Sequence, residues 1–377
     1  MEQSVHIGVD RLALGAAKLP RSARLGLLTN RAARTADDRW TGTVLLDGGY
    51  HLALVLAPEH GLAVDAAAGA PVGHSQLGDI PVLSLYGADI SPLEGALGTV
   101  DALVVDLPDV GCRYYTYGWT VREVLKLAAR HGKPVYCLDR PNPLDGMTIE
   151  GNKPDRAYDS AVCASSVPVR HGLTLGELAL WNRRSLGLDV DISVVTAEGW
   201  QRPMAWFETG LPWTPPSPAL RSGEATSFYP GTCLIEGTNV SEGRGTEAPF
   251  TMIGAPFLDG RRLATLLSDE EAMAGALVEP VSFTPQSSKW ADQRCSGVRL
   301  TMNHRSEFRP VRAGLALVAA LVTHPEFAFL PGQFDALAGT GSWRECLARG
   351  MPPSGIAEEW ESDEVHFRVE REALLLY

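Results

Sequence analysis

The sequence predicts an α/β protein of two domains, the first of which contains a doubly wound sheet. The chain has 377 residues, which exceeds what a single hydrophobic core of about 250–300 residues supports. Short apolar runs alternate with helical segments in its first half, and the runs are continuously apolar. That pattern is typical of parallel strands covered on both faces. We place the domains at residues 1–165 and 166–377.

The first domain is predicted from five apolar runs and one clear helix. Val121, Val124, Leu125 and Ala128 fall on one face of the segment GWTVREVLKLAARHG, and Gly132 ends it. This helix lies between two strands, which is a βαβ unit. The predicted strands lie in ARLGLLTN, HLALVLAPEHG, IPVLSLYG, VDALVVDLPDVG and KPVYCLDRPNP.

The rest of the chain shows two further helices. Thr174 is a plausible N-cap with Glu177 three residues later, which is the spacing of a capping box and makes Glu177 structural. In RPVRAGLALVAALVTHP, Pro310 stands near the first turn and Pro325 just beyond the end. DVDISVVTAEGW and SGVRLTM read as strands, and the Trp- and Pro-rich segment 200–218 reads as a long ordered loop.

Charge, cysteine content and the lack of long apolar segments limit the partners and the location that the sequence predicts. A formal net charge of −12 argues against nucleic acid or an anionic membrane as the main partner. Six cysteines without a paired spacing are expected to be buried free thiols. No basic segment precedes an apolar leader, and no run reaches the roughly 20 apolar residues of a membrane helix. We therefore expect a cytoplasmic protein.

Polar side chains follow each predicted strand of the first domain. Ligands of open α/β sheets bind outside the carboxyl ends of the strands, so these clusters predict a site at one edge. The alternative is that the Asp and Asn side chains cap the next helices. The clusters are Thr29-Asn30, Glu59-His60-Gly61, Tyr86-Gly87, Asp106 with Asp109, and Asp139-Arg140 with Asn142.

The reaction class is suggested by which motifs are missing and which residues remain. The sequence has no G-x-G-x-x-G, P-loop, H-E-x-x-H or G-x-S-x-G, so dinucleotide, nucleotide and common hydrolase signatures are absent. The remaining carboxylates, arginines and aromatic residues suit glycoside hydrolysis. In that reaction one carboxyl group protonates the leaving oxygen and another acts as base or nucleophile. The carboxylates and histidines lack metal-ligand spacing, so we expect no metal and no cofactor.

Glu59 is the first candidate for the catalytic acid. It directly follows a buried strand, where partial burial raises the pKa of a carboxyl group. The alternative is that Glu59 and His60 form a pair that only fixes the loop. Three further clusters are candidates: DLPDVGCRYYTYGW, VPVRHGLT before a helix N-terminus, and the polar loop LIEGTNVSEGRGTEAPF. For Asp139 and Arg140, a mutual loop brace is an equal alternative to a role in the site.

In this order, the motifs APEHG, SLYG, DVGCRYYTY, LDRPNP, VPVRHGLTLGELA, GLPW and EGTNVSEGRGTEAPF resemble the NamZ-type exo-β-N-acetylmuramidases. The resemblance runs nearly end to end. It implies a Rossmann-like domain and a smaller α/β domain with the active site in the cleft between them. It also implies release of β-1,4-linked N-acetylmuramic acid (MurNAc) from the non-reducing end of peptidoglycan fragments, in cell-wall recycling. The glutamate of the family's EHG motif is Glu59, and its SEGRGT loop is Ser241 to Thr246.

We therefore expect a small-molecule substrate, either a MurNAc disaccharide or a muropeptide. An arginine, with Arg113, Arg170 and Arg244 as candidates, is expected to bind the lactyl carboxylate of MurNAc. The catalytic candidates are Glu59, Glu242 and Asp139. The substrate-binding candidates are His60, Asp109, Arg113, Tyr117, Arg140, Asn142, Arg170, His171, Glu236, Arg244 and Thr246.

Two other functions fit the same residues. One is a non-catalytic protein that binds muropeptides or amino sugars, and the other is a glycosidase for a related amino sugar. The second follows from departures from the family pattern at Ala70, Pro108 and Ala219. A nucleotide- or NAD-using enzyme is disfavoured because the glycine fingerprint is missing.

Overall fold

The computed structural model describes residues 4–87 and 91–377, and this part of the chain contains two β-sheets. The large sheet consists of β1 Arg24–Thr29, β2 His51–Ala57, β3 Ser75–Leu77, β4 Ile80–Ser84, β5 Ala102–Asp106, β6 Val135–Leu138 and β7 Ile192–Val195. The small sheet consists of β8 Met252–Ala255, β9 Ala276–Phe283 and β10 Cys295–Met302.

Helices cover the large sheet and make up much of the second domain. Those of the first part of the chain are α1 Gly8–Ala13, α2 Thr41–Asp47, α3 Ser91–Leu97, α4 Thr116–Arg130 and α5 Leu175–Leu186. Those of the second part are α6 Gly223–Thr232, α7 Gly260–Ser268, α8 Pro310–Val322, α9 Pro331–Ala338, α10 Ser342–Ala348, α11 Pro353–Glu359 and α12 Glu361–Glu372.

The large sheet has the order β3-β4-β2-β1-β5-β6-β7, and only β3 pairs antiparallel. Without β3, this is the strand order of a Rossmann sheet, with its reversal between β1 and β5. The prediction of a doubly wound α/β fold is confirmed. Strand β7 belongs to this sheet although it lies beyond residue 165, the predicted end of the first domain. The two sheets divide between residues 195 and 252 instead.

Burial of both sheet faces explains the continuous apolar runs. Leu25 and Leu27 of β1 pack into a core on one face, and Leu28 packs into a core on the other. All three side chains have no exposed surface. The core that contains Leu28 continues into the second domain as far as Trp343 and Trp360. One apolar core therefore joins the two sheets.

The second domain packs its helices against the antiparallel sheet β8-β10-β9. Helices α6 and α8 approach so closely that their backbones are in contact at Gly231 and Gly314. A Cβ atom at Gly314 would lie 2.5 Å from the Cα atom of Gly231. Only glycine fits at such a contact, because any side chain would push the two helices apart.

Local signals in the sequence match the structure well. The Thr174 hydroxyl caps α5 and Glu177 completes the capping box, as predicted. Pro310 opens α8, and all six cysteines are buried and free. The sequence patterns did not predict β3, β8, β9 or the helices α1 to α3, α6, α7 and α9 to α12. Within the described ranges, none of the helices has the length and apolarity required to cross a membrane.

Candidate active site

Two adjoining cavities lie between the carboxyl end of the large sheet and the second domain, and we call them the cleft. The inner cavity is about 240 Å³ and contains Glu59, His60 and Glu236. The outer cavity is about 470 Å³ and contains Glu242 and Lys289. The two share the lining residues Ala68, Glu236, Arg244 and Gln333. The cleft therefore brings carboxylates from both domains into one space.

Glu59 follows β2 and is only 6% exposed. Its Oε1 accepts a hydrogen bond from the Gly69 amide at 2.7 Å, and its Oε2 accepts one from the Thr116 hydroxyl at 2.7 Å. The Tyr86 phenol also contacts this carboxylate, and burial together with that contact raises the pKa of Tyr86. The carboxylate is thus fixed at the cavity wall by three elements of the first domain.

The loop after β2 has a strained backbone. His60 has φ +68° and Val64 has φ +63°, a region that β-branched residues rarely enter. Such strain is concentrated at functional sites, where the surroundings enforce it. The His60 Nδ1 lies 2.8 Å from the Ala66 carbonyl oxygen, which holds the ring in place. Burial lowers the pKa of His60, so its imidazole is neutral at neutral pH.

Glu236 faces the same inner cavity from the second domain. It lies in the 3₁₀ turn Cys233–Gly237, and its Oε1 accepts a hydrogen bond from Arg244 at 2.6 Å. Burial raises the pKa of Glu236, and the neighbouring Arg244 guanidinium opposes part of that effect. A carboxyl group with a raised pKa is suited to proton transfer near neutral pH.

Arg244 and Lys289 neutralise the second-domain glutamates. Arg244 also lies 3.3 Å from Glu242 Oε1, so its guanidinium bridges Glu236 and Glu242. The Lys289 ammonium lies 3.2 Å from Glu242 Oε2 and donates to three backbone carbonyls, of Ile235, Glu236 and Val240. These contacts fix the carboxylates, and both cations already have a carboxylate partner.

Aromatic rings form the apolar wall of the inner cavity. Tyr229 makes edge-to-face contacts with Tyr114, Tyr115 and Phe250, with ring centroids 6.4, 6.1 and 4.8 Å apart. Ring faces of this kind suit the apolar faces of sugar rings. An apolar wall beside buried carboxylates is the combination that glycoside hydrolysis requires.

Two of the three predicted arginines lie outside the cleft. The Arg113 terminal nitrogens donate to the carbonyls of Asn152, Val167, Leu337 and Ala338. Arg170 pairs with Asp145 at 2.7 Å and also donates to the Leu144 carbonyl. Both are buried structural braces, so neither is available to a substrate. Arg244 alone of the three candidates lines the cleft.

The Asp139 cluster is also structural. Asp139 accepts hydrogen bonds from the Thr174 hydroxyl, the Gly176 amide and the Tyr377 phenol, and burial raises its pKa to about 6. Arg140 makes a bidentate ion pair with the fully buried Asp106. Asp139 and Arg140 therefore brace the fold through separate partners and not through each other, unlike the mutual brace considered from the sequence.

The remaining predicted residues are likewise bound within the fold. Asn142 donates to the Leu173 carbonyl, Tyr117 donates to the Pro216 carbonyl, and Thr246 donates to the Gly243 carbonyl. His171 accepts from the Leu173 amide, and burial lowers its pKa to about 3. Asp109 lines a separate cavity of about 30 Å³ together with Arg34, Arg140, Trp206 and Trp213. Of the predicted residues, the cleft contains Glu59, His60, Glu236, Glu242 and Arg244.

Several cleft residues carried no local sequence signal. Lys289, Gln333 and Tyr229 come from separate parts of the second domain. By contrast, Tyr86 was marked by its place at a strand end, and Tyr114 and Tyr115 by the aromatic cluster after β5. Across residues 4–87 and 91–377, no three His, Cys, Asp or Glu side chains are grouped so that they would hold a metal ion.

A two-domain α/β fold that brings a glutamate from each domain to one aromatic-walled cavity defines a protein of the glycosidase class. The profiles described as exo-beta-N-acetylmuramidase NamZ match residues 25–224 for its N-terminal part and 227–377 for its C-terminal part. The chain belongs to the NamZ family of exo-β-N-acetylmuramidases.

Known proteins agree with this assignment along the full chain. The peptidoglycan beta-N-acetylmuramidase NamZ of Bacillus subtilis (strain 168) is 38% identical over 379 residues, covering 99% of this chain and 91% of the relative. A crystal structure of a DUF1343 family protein from Bacteroides fragilis superposes with a TM-score of 0.90 at 27% identity, covering 99% of each chain. A second such protein from the same organism gives a TM-score of 0.78 at 26% identity, covering 100% of this chain and 99% of its own.

Proposed function

We propose that this chain hydrolyses the β-1,4 bond that joins a non-reducing-end MurNAc to the rest of a peptidoglycan fragment. The observation that carries the proposal is the pair Glu59 and Glu236, which line one cavity from opposite domains. The family's activity and the peptidoglycan substrate of the Bacillus relative support the choice of sugar. The cellular role that fits such an activity is cell-wall turnover and recycling.

In the proposed mechanism, Glu59 protonates the leaving oxygen and Glu236 acts on the other side of the anomeric carbon, as base or nucleophile. The Gly69 amide and the Thr116 hydroxyl hold Glu59 at a fixed angle to the substrate. Arg244 holds Glu236, and Glu242 with Lys289 holds Arg244. Glu242 is therefore a positioning residue in this proposal, and Asp139 has no part in it.

The direct test is to incubate the chain with the tetrasaccharide MurNAc-GlcNAc-MurNAc-GlcNAc and identify the first products by mass spectrometry. We expect free MurNAc and a trisaccharide, because the inner cavity of about 240 Å³ suits a single terminal sugar. Release of a disaccharide would contradict exo-cleavage, and preference for the all-GlcNAc equivalent would contradict the choice of sugar. Binding without turnover would favour the non-catalytic alternative.

The same assay tests whether a metal is needed. We expect dialysis against EDTA to leave turnover unchanged, because proton transfer from Glu59 to the leaving oxygen and the action of Glu236 as base or nucleophile require no Lewis acid. Loss of activity that Mg²⁺, Ca²⁺ or Zn²⁺ restores would contradict this part of the proposal.

A further inference from the structure

A groove rich in arginine adjoins the outer cavity of the cleft, and we call it the arginine groove. Its volume is about 490 Å³, and Arg31, Arg34 and Arg221 line it together with Val64 and Pro218. Pro218 and Arg221 also line the outer cavity, so the two spaces are continuous along this edge. None of the described residues that line the groove carries a carboxylate. This is a locally cationic surface on a chain with a net charge of −12.

Arg31 and Arg221 have N–H groups that are available to a ligand. The Arg31 guanidinium stacks on the Trp40 ring with its central carbon 4.0 Å from the ring centroid. Stacking occupies the flat face of a guanidinium and leaves its N–H edge available. The Arg221 Nε donates to the Pro218 carbonyl at 3.1 Å, which orients the group and leaves its terminal nitrogens available. Across the ranges 4–87 and 91–377, neither arginine makes an ion pair with a carboxylate.

The other cations near the cleft are already neutralised. Arg34 pairs with Asp38 at 3.2 Å, Arg244 bridges two glutamates, and Lys289 pairs with Glu242. Among the arginines and lysines that line the cleft and the groove, only Arg221 and Arg31 have no carboxylate partner in the described part of the chain. Carboxylates are bound most strongly by guanidinium edges that have no other anionic partner.

We propose that Arg31 and Arg221 form a binding site for a lactyl carboxylate of the substrate. This inference rests on the proposed muramidase function. Two lactyl groups have the same chemistry: that of the MurNAc being released, and that of the next MurNAc along the sugar chain.

The test measures kcat and KM for Arg31→Met, Arg221→Met and the double variant on two substrates. These are the disaccharide MurNAc-GlcNAc and the tetrasaccharide, each compared with its lactyl methyl ester. Because Arg221 is exposed and solvent screens such an ion pair, each single substitution should raise KM by about two- to fivefold and the double variant by about tenfold, with kcat little changed. The esters should respond to neither substitution. Arg262→Met, at an exposed arginine of α7 that makes no ion pair with any described residue, is the matched control.

The outcomes show which lactyl carboxylate, if either, binds to Arg31 and Arg221. A loss with the free-acid disaccharide assigns the site to the released MurNAc, and a loss confined to the tetrasaccharide assigns it to the next one. Equal effects on acids and esters, or no effect on either, would overturn the proposal. Because wild-type turnover is measured alongside, a wild type without muramidase activity would instead contradict the proposed function. Isothermal titration of the disaccharide with the variants in a Glu59→Gln background reports affinity without turnover.

Discussion

At the scale of single residues, buried polar groups at strand ends serve two different purposes. Asp106 ends β5 without any exposed surface, and Arg140 and Thr41 satisfy its oxygens from inside the fold. Glu59 follows β2 and is held by a backbone amide and a hydroxyl, yet it also faces a cavity. The second arrangement keeps a carboxylate rigid and still accessible to a sugar. Access to the cavity, rather than burial, distinguishes the candidate catalytic groups.

Asp109 provides a residue-scale prediction of pH dependence. Burial raises its pKa to about 7, so the folded protein holds a proton there that the unfolded chain has released above about pH 4. The free energy of unfolding therefore falls as pH rises from about 4 to 7 through this group. Asp109→Asn removes the titration. We expect the variant to gain about 1–2 kcal/mol over wild type between pH 5 and pH 8, because each pKa unit is worth about 1.4 kcal/mol and partial exposure reduces the full effect.

Urea unfolding at the two pH values measures this difference. Asp189→Asn, at an exposed aspartate, controls for the general effect of removing one negative charge. A variant whose stability relative to wild type is the same at both pH values would show that Asp109 is ionised throughout this range.

At the scale of elements, the sequence predicted those helices and strands that depend on residues close together in the chain. Helix α5 follows from the Thr174 capping box and α8 from its opening proline, since both signals act within one helical turn. Strands β1 and β5 follow from apolar runs that are buried on both faces. Strand β9 was missed because half of it is exposed and Pro280 interrupts its pattern.

The contact between α6 and α8 gives an element-scale prediction. In an exposed helix, replacing glycine by alanine stabilises the fold by about 0.5–1 kcal/mol. At Gly314 the added Cβ would instead lie 2.5 Å from the Gly231 backbone, and we expect Gly314→Ala to destabilise the protein by about 1–3 kcal/mol. Chemical unfolding measures the change. Gly332→Ala in α9, where nothing lies within 4 Å, should leave stability unchanged or higher. Equal effects at both glycines would rule out the close helix contact.

At the scale of the whole molecule, the end of the chain ties the second domain to the first. Arg371 of α12 donates to the carbonyls of His171 and Met147, and the Leu376 amide donates to Glu177. Tyr377 reaches Asp139 at the end of β6, 238 residues earlier in the chain. These contacts fix the relative position of the two domains, and with it the distance between Glu59 and Glu236.

Long-range contacts of this kind also explain which site predictions did not hold. Arg113 and Glu59 have similar sequence surroundings, each in a polar segment just beyond a strand. They differ because Arg113 donates to the backbone carbonyls of Leu337 and Ala338, which lie more than 220 residues later in the chain. Local composition does not encode such a partner. The strand-end pattern and the polar loop had placed Glu59, His60, Glu236, Glu242 and Arg244 among the candidates, and the structure brings them into the cleft. Lys289 and Gln333 carry no local signal and required the fold.

The most direct test of the central claim is to compare how far Glu59→Gln lowers kcat/KM on two substrates that differ in their leaving group. General acid catalysis contributes about 10²–10⁴ in rate, but only when the leaving oxygen needs a proton. We expect kcat/KM on MurNAc-GlcNAc to fall at least about a hundredfold, and that on 2,4-dinitrophenyl-MurNAc to stay within about tenfold. Glu236→Gln should impair both substrates, and Glu247→Gln, at an exposed glutamate of the same loop, should impair neither. If Glu236→Gln impaired only the disaccharide and Glu59→Gln impaired both substrates, the roles of the two glutamates would be reversed. A Glu59→Gln enzyme within a few-fold of wild type on the disaccharide would contradict the account.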